Sequence, residues 1–231
     1  MGVSGSSGVQ VAIDGPASAG KSTVAKLVAK HFDYVYLDTG AMYRAITWAA
    51  LRDGLDLNDE AAVMAIVAKT PIRFTPGQPD QLVFAGETDV TRAIREEAVT
   101  NNVSTVAALP AVRAALTEQM QQIAAAGGIV MDGRDIGTTV LPSAQVKIFL
   151  EASVAERARR RFKENQAKGI AVSLATLEQE IATRDYKDSH RTSSPLTQAK
   201  DAILLDTTSL TVNQVVDKIV NLVDKYLNRQ G

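Results

Sequence analysis

The chain has no cysteine among its 231 residues. That excludes disulfides, thiolate-bound metals and a cysteine nucleophile, and it agrees with a reducing compartment. Histidine is almost as scarce, with only His31 and His190, far apart in sequence, so a histidine-built metal site has little support. Charge of one sign is lacking too: the formal net charge is −1, which argues against a general binder of nucleic acid or membrane surface. No apolar run approaches the ~20 residues that a membrane-spanning helix needs. Residues 1–8 are Gly/Ser-rich and lack the apolar stretch of a signal peptide, so a disordered tail outside the fold is expected there. No internal repeat or long linker interrupts the rest. These absences leave a cytoplasmic chain whose 45% apolar residues support a real core, organised as one domain over 9–231.

What is present begins with Gly15-Pro-Ala-Ser-Ala-Gly-Lys-Ser22 and the following Thr23. It fits G-x-x-x-x-G-K-[ST], the phosphate-cradling P-loop. Val9–Ile13 before it is an apolar run of strand length. After it, Val24, Leu27 and Val28 fall at i, i+3 and i+4, the spacing of a helix face. Strand, glycine loop and helix in that order let backbone N–H groups turn on a polyphosphate, with the positive end of the helix dipole behind them. Gly15, Pro16, Ala17, Ser18, Ala19, Gly20, Lys21, Ser22 and Thr23 are therefore the residues expected to bind a nucleotide polyphosphate, ATP if the chain is a kinase. Lys21 would reach the β- and γ-phosphates, and Ser22 would ligate Mg²⁺.

The remaining pattern alternates short apolar strands with helices. Strands are expected at 34–37, 129–132, 146–150 and 202–206, and helices at 41–52, 94–108, 110–126, 154–167 and 174–191. Asn58 is read as the cap of a further helix ending near Thr70. Thr211 with Gln214 forms a capping box for the last helix, whose stripe runs from Val212 to Tyr226. About five parallel strands covered by helices on both faces follow, an α/β fold. Between residues 71 and 90 the texture changes to a small antiparallel meander around the turn-rich 76–80, an insert. Phe32, Tyr36 and Trp48 are read as packing residues.

A P-loop alone leaves kinase, ATPase and GTPase open. The Asn-Lys-x-Asp and Asp-x-x-Gly motifs of a GTPase are missing. The size and the arginine supply fit a small-molecule or nucleotide kinase better than a P-loop ATPase acting on polynucleotide. Arg157, Arg159, Arg160, Arg161 and Lys163 crowd one helix, with Arg157, Arg160 and Arg161 on a common face; Arg184, Asp188 and Arg191 share a face of the next. The pair is read as a lid over 157–191, able to bring positive charge to the transferred phosphoryl group and to exclude water. For the metal, Ile129-Val-Met-Asp132 has the apolar-run-then-Asp form of a metal-directed strand; Asp38 and Asp14 are alternatives to Asp132.

Five separated motifs then carry a family resemblance: Gly15–Thr23, Leu37-Asp-Thr-Gly-Ala-Met-Tyr-Arg44, Asp132-Gly-Arg-Asp-Ile-Gly137, the arginine helix, and Arg184-Asp-x-x-Asp-x-x-Arg191. Together, from Val9 to Leu227, they resemble the bacterial cytidylate kinases among P-loop nucleoside monophosphate kinases. The resemblance implies transfer of the γ-phosphoryl group of ATP to CMP or dCMP, with Mg²⁺, by a monomer. It implies a monophosphate-binding region over 39–115 that includes the insert. It also implies Asp135, Arg113 and Ser104 as base readers, Arg44 and Arg134 as a clamp on the acceptor phosphate, and Arg184 and Asp188 as ribose contacts. Arg191 would lie nearer the transferred phosphate or sugar, and Arg157 and Lys21 complete the charged machinery. Thr39 stands where some relatives have serine, keeping a hydroxyl that either contacts the phosphate or caps the following helix. A carboxylate accepts from cytosine N4, and an arginine donates to N3 or O2; uracil O4 would face Asp135 acceptor to acceptor.

Overall fold

The computed structural model describes residues 8–75, 77, 81–167 and 169–229. In chain order the first elements are β1 (Gly8–Asp14), α1 (Lys21–Phe32), β2 (Val35–Asp38), α2 (Thr39–Arg52) and α3 (Glu60–Lys69). The meander β3 (Ile72–Thr75), β4 (Leu82–Ala85) and β5 (Thr88–Asp89) follows, then a 3₁₀ turn Ala93–Arg95, α4 (Glu97–Val106) and α5 (Pro110–Ala124). The last part runs β6 (Gly127–Gly133), a π-helical turn Ile136–Val140, β7 (Val146–Glu151), α6 (Val154–Ala167), α7 (Leu174–His190), β8 (Ile203–Asp206) and α8 (Val212–Leu227). Contacts group the chain into two compact units, residues 1–37 with 123–231 and residues 38–122.

The first unit is built on a five-stranded sheet in the order β2-β6-β1-β7-β8. β1 lies parallel to both β6 and β7, and β7 parallel to β8. Helices α1 and α8 cover one face, where Val24, Val28, Val215, Ile219 and Val223 pack on Val11, Ile13, Ile148 and Leu150. Each such side chain taken out of water contributes about 1.5–3 kcal/mol before the entropy cost. The capping box of α8 forms as expected, with Thr211 accepting from the Gln214 N–H and the Gln214 side chain accepting from Thr211. Two expected apolar positions point elsewhere: Leu27 and Val212 are exposed, and Ala25 takes the inner place on α1. The expected tail falls on residues 1–7, outside the described residues, while Gly8 already opens β1.

The second unit holds the antiparallel meander β3-β4-β5, whose Val83 and Ala85 pack with Trp48 against Ala41 and Ala45 of α2. Most of the expected turn at 76–80 lies outside the described residues. Three local expectations are corrected here. Asp59, not Asn58, caps α3, because its carboxylate accepts from the Ala62 N–H while Asn58 is tied to Asp56. Helix α2 starts at Thr39, so Thr39 is not its cap; Asp38 accepts from the Ala41 N–H at 2.9 Å. The expected 94–108 helix is two pieces, broken at Glu96, whose extended backbone ends the 3₁₀ turn and opens α4.

Candidate active site

The P-loop joins β1 to α1. Gly15 has φ +147°, and a Cβ there would overlap the Leu150 carbonyl, so this position excludes a side chain. Gly20, at φ +88°, precedes α1 in the left-handed region and gives the helix no side-chain cap, leaving first-turn N–H groups to serve an anion. Lys21 is buried and its Nζ donates to the Pro16 carbonyl at 2.6 Å. Burial, then the Arg134 guanidinium, pushes its pKa well below the ordinary lysine value, with Asp132 opposing them. Thr23 is exposed at the start of the same helix.

The parallel register sets Asp132 beside Ile13, close to the loop's beginning. Ser22 Oγ donates to one Asp132 oxygen at 2.8 Å, and the Tyr36 hydroxyl donates to the other at 2.8 Å. Tyr36 therefore does more than pack, which the sequence did not reveal. The alternative carboxylates are engaged elsewhere. Asp14 accepts from the N–H groups of Ile136 and Gly137 at 2.8 and 2.7 Å, and so holds the π-helical turn that follows Asp135. Its burial raises its pKa to about 6, against the lowering effect of those two N–H groups. Asp38 spends one oxygen on the α2 cap and the other on Arg95 at 2.6 Å.

Beyond the loop, the first unit gathers most of the charged residues expected to bind acceptor. Arg134 Nε donates to Asp188 at 2.9 Å, and Arg184 lies 4.0 Å from the same carboxylate oxygen. Arg191, which ends α7 instead of continuing its face, reaches Asp135 at 3.5 Å and donates to the Ser194 carbonyl. Burial, followed by Arg134, lowers Arg184 to about 10. Burial would raise Asp188, but Arg134 and Arg184 outweigh it and hold its carboxyl below the usual range. The structure thus brings Arg134, Arg184 and Asp188 into one cluster and joins Asp135 to Arg191.

The arginine helix is arranged differently from the common face expected. Arg157 is buried, with bonds to the carbonyls of Ala152 and Ala17. Arg160 reaches Thr207 and Glu156, Arg159 pairs with Glu156, and Arg161 with Glu164. Sequence spacing gave their directions around the helix axis, but packing sends each to its own partner.

In the second unit, Arg44 donates to the Ile94 carbonyl and to Thr100. Arg113 is buried, donates to the Ala107 carbonyl at 2.9 Å, and stacks over the Tyr43 ring at 5.4 Å. Thr39 is buried at the start of α2, and Ser104 is half-buried on α4.

Comparison with known proteins identifies the family of the chain. The family profile described as Cytidylate kinase matches residues 11–225. The cytidylate kinase of Lactiplantibacillus plantarum is 64% identical over 94% of this chain and 95% of its own length. That of Streptococcus pneumoniae is 60% identical over 95% of this chain and 99% of its own. Among solved structures, an uncharacterized protein of Eubacterium ventriosum shares the fold, with a TM-score of 0.53 at 13% identity over 94% of this chain and 98% of that one. With a family profile along nearly its whole length and relatives this similar, the chain belongs to the cytidylate kinase family.

Proposed function

We propose that this protein transfers the γ-phosphoryl group of ATP to CMP or dCMP, giving ADP and the pyrimidine diphosphate. The observation that carries the reading is the P-loop whose Ser22 hydroxyl meets Asp132, in a chain of this family. The acceptor is a phosphate oxygen, and a phosphate monoester with second pKa ≈ 6 is mostly dianionic at neutral pH, so no protein base is needed. Catalysis is then alignment and neutralisation of charge. Lys21 serves the donor phosphates from the loop. Arg44 and Arg134 hold the acceptor phosphate, Arg184 and Asp188 the ribose, and Arg191 the sugar or transferred group. Asp135, Arg113 and Ser104 read cytosine, and Thr39 supplies a hydroxyl to the phosphate. Buried Asp135 favours the N4 donor of cytosine over the O4 acceptor of uracil, because a polar mismatch in a dry site is costly.

Magnesium fits the residues present. Ser22 Oγ and the Asp132 carboxylate are hard oxygen donors 2.8 Å apart, and Mg²⁺ is commonly held by one or two such groups plus waters and phosphates. Ser22 and Asp132 would hold it, directly or through water, and the chemistry it would supply is neutralisation of the charge that develops on the phosphates. We also read the protein as a cytoplasmic monomer acting on nucleotides rather than nucleic acid. Among the described residues no helix is long and apolar enough to cross a membrane.

The test is a panel of nucleoside monophosphates with Mg-ATP, following ADP release. CMP and dCMP should stimulate release far above the level with no acceptor. Stimulation no greater than buffer alone would end this reading.

A further inference from the structure

Asp185 belongs to the Arg184–Arg191 motif, yet the motif gives it no role. In the structure it faces the donor loop. One carboxylate oxygen accepts from the Ala17 N–H at 3.3 Å, and the other lies 2.6 Å from Arg157 Nη1. That same Nη1 donates to the Ala17 carbonyl at 3.0 Å, while Arg157 Nε is anchored on the Ala152 carbonyl at 2.8 Å. Both backbone polar groups of one P-loop residue are therefore held by a single ion pair. The Arg157 side chain is 5% exposed and that of Asp185 21%, so the pair is shielded from water and neither charge is easily left alone.

The arrangement has consequences for the loop. A P-loop works when its N–H groups converge on the anion and its carbonyls point away. Here two successive carbonyls are turned onto buried cations, Pro16 onto Lys21 and Ala17 onto Arg157. A bare carboxylate bonded to the loop would repel a polyphosphate, and the adjacent guanidinium offsets that charge. Arg157 stands on α6 and Asp185 on α7, helices that pack together through Ala158, Leu177 and Ile181. The loop's first turn is thus braced against this helical pair.

We propose that Asp185, acting with Arg157, is a positioning residue for the phosphoryl donor. The ion pair fixes the two peptide units that flank the Ala17 Cα and so aims the remaining amides of the loop at the ATP polyphosphate. The inference rests on the ATP-dependent reading above and adds to it a role for Asp185. Without the brace, the loop samples orientations in which carbonyls face the phosphates, so donor binding and alignment both suffer, whereas the acceptor is affected less.

The test compares wild type, Asp185→Ala and Asp185→Asn. It measures Mg-ATP affinity by calorimetry, amide hydrogen exchange at Ala17 by NMR, steady-state constants for both substrates, and thermal stability. Asp185→Ala should weaken ATP binding about tenfold or more and lower kcat comparably, the scale of a misaligned reacting group. The KM for CMP should change by a smaller factor, and exchange at Ala17 should accelerate more than exchange in the sheet. Asp185→Asn keeps one acceptor for the Ala17 N–H and should recover part of the amide protection and part of the ATP affinity. Wild-type ATP affinity and Ala17 exchange in Asp185→Ala would overturn the proposal. So would a loss of thermal stability with unchanged ATP affinity of the folded protein, which is what a merely structural bridge predicts. If the alanine variant does not fold, the asparagine variant decides: wild-type ATP affinity there overturns the proposal. Failure of the wild type to phosphorylate CMP would sink the activity reading instead, while ATP affinity and Ala17 exchange would still decide the role of Asp185.

Discussion

Ser22 and Asp132 are joined by a 2.8 Å hydrogen bond that ties the first turn of α1 to the end of β6. Two residues 110 apart in sequence meet because β6 lies parallel to β1, with Asp132 level with Ile13. In open parallel sheets, ligands gather beyond the carboxyl ends of the strands, and both residues stand there. The second Asp132 oxygen is held by Tyr36 from the neighbouring edge strand.

Tyr36→Phe removes that hydroxyl and leaves the half-buried ring packed against the core. A carboxylate freed to rotate is a poorer partner for Mg²⁺, so the concentration of Mg²⁺ for half-maximal activity should rise by about tenfold, the lower end for outer partners of metal ligands. A Mg²⁺ titration at fixed ATP checks this; an unchanged midpoint would show that Tyr36 only packs.

Lys21→Ala should lower kcat by about 10²–10³, the scale of losing one preorganised charge at the reacting group. Its folding should not suffer in proportion, because burial and Arg134 already disfavour the lysine charge. Turnover near wild type in a well-folded variant would refute the assignment of the donor loop.

Asp135→Asn should narrow the preference for CMP over UMP by ~1–3 kcal/mol, the worth of one good base contact. An asparagine amide can turn its N–H₂ toward uracil O4, which a carboxylate cannot do. The ratio of kcat/KM for the two substrates is the measurement, and an unchanged ratio would remove Asp135 from base reading.

Asp14 gives a pH prediction whose sign is set by its burial. Its pKa is about 6 in the folded protein against 3.8 for the unperturbed group. Between these values the folded state binds the extra proton, so stability from this group is full below about pH 4 and falls as pH rises through about 6. The shift corresponds to about 3 kcal/mol. Urea unfolding of wild type and Asp14→Asn across pH 4 to 7 isolates it: the stability difference, wild type minus variant, should shrink as pH rises. A constant difference would contradict the raised pKa.

Much of the fold was legible locally. The alternation of apolar strands and helices placed the five-stranded sheet, and the Thr211–Gln214 box placed the start of α8, because hydrogen bonds across three residues need no distant partner. The same local logic misassigned the α3 cap. Asn58 and Asp59 are both good caps by type, and only the backbone geometry puts the Asp59 oxygen within reach of the Ala62 N–H. The arginine helix shows a stronger limit. Spacing put Arg157, Arg160 and Arg161 on one face, but the neighbours that bury Arg157 against Ala17 and send Arg160 to Thr207 come from elsewhere in the chain.

The sequence alone therefore determined the P-loop, since glycine at positive φ, lysine, serine and the helix start are all neighbours along the chain. It also determined the kinds of charged group available for a phosphorylated acceptor. Tertiary structure decided which carboxylate meets Ser22, that Tyr36 supports it, that Asp14 holds the turn after Asp135, and that Asp185 and Arg157 grip Ala17. These are contacts between strands and helices far apart in sequence. A hydrogen bond needs its partners within a few tenths of an ångström, which periodicity cannot specify and only the packed sheet and helices supply.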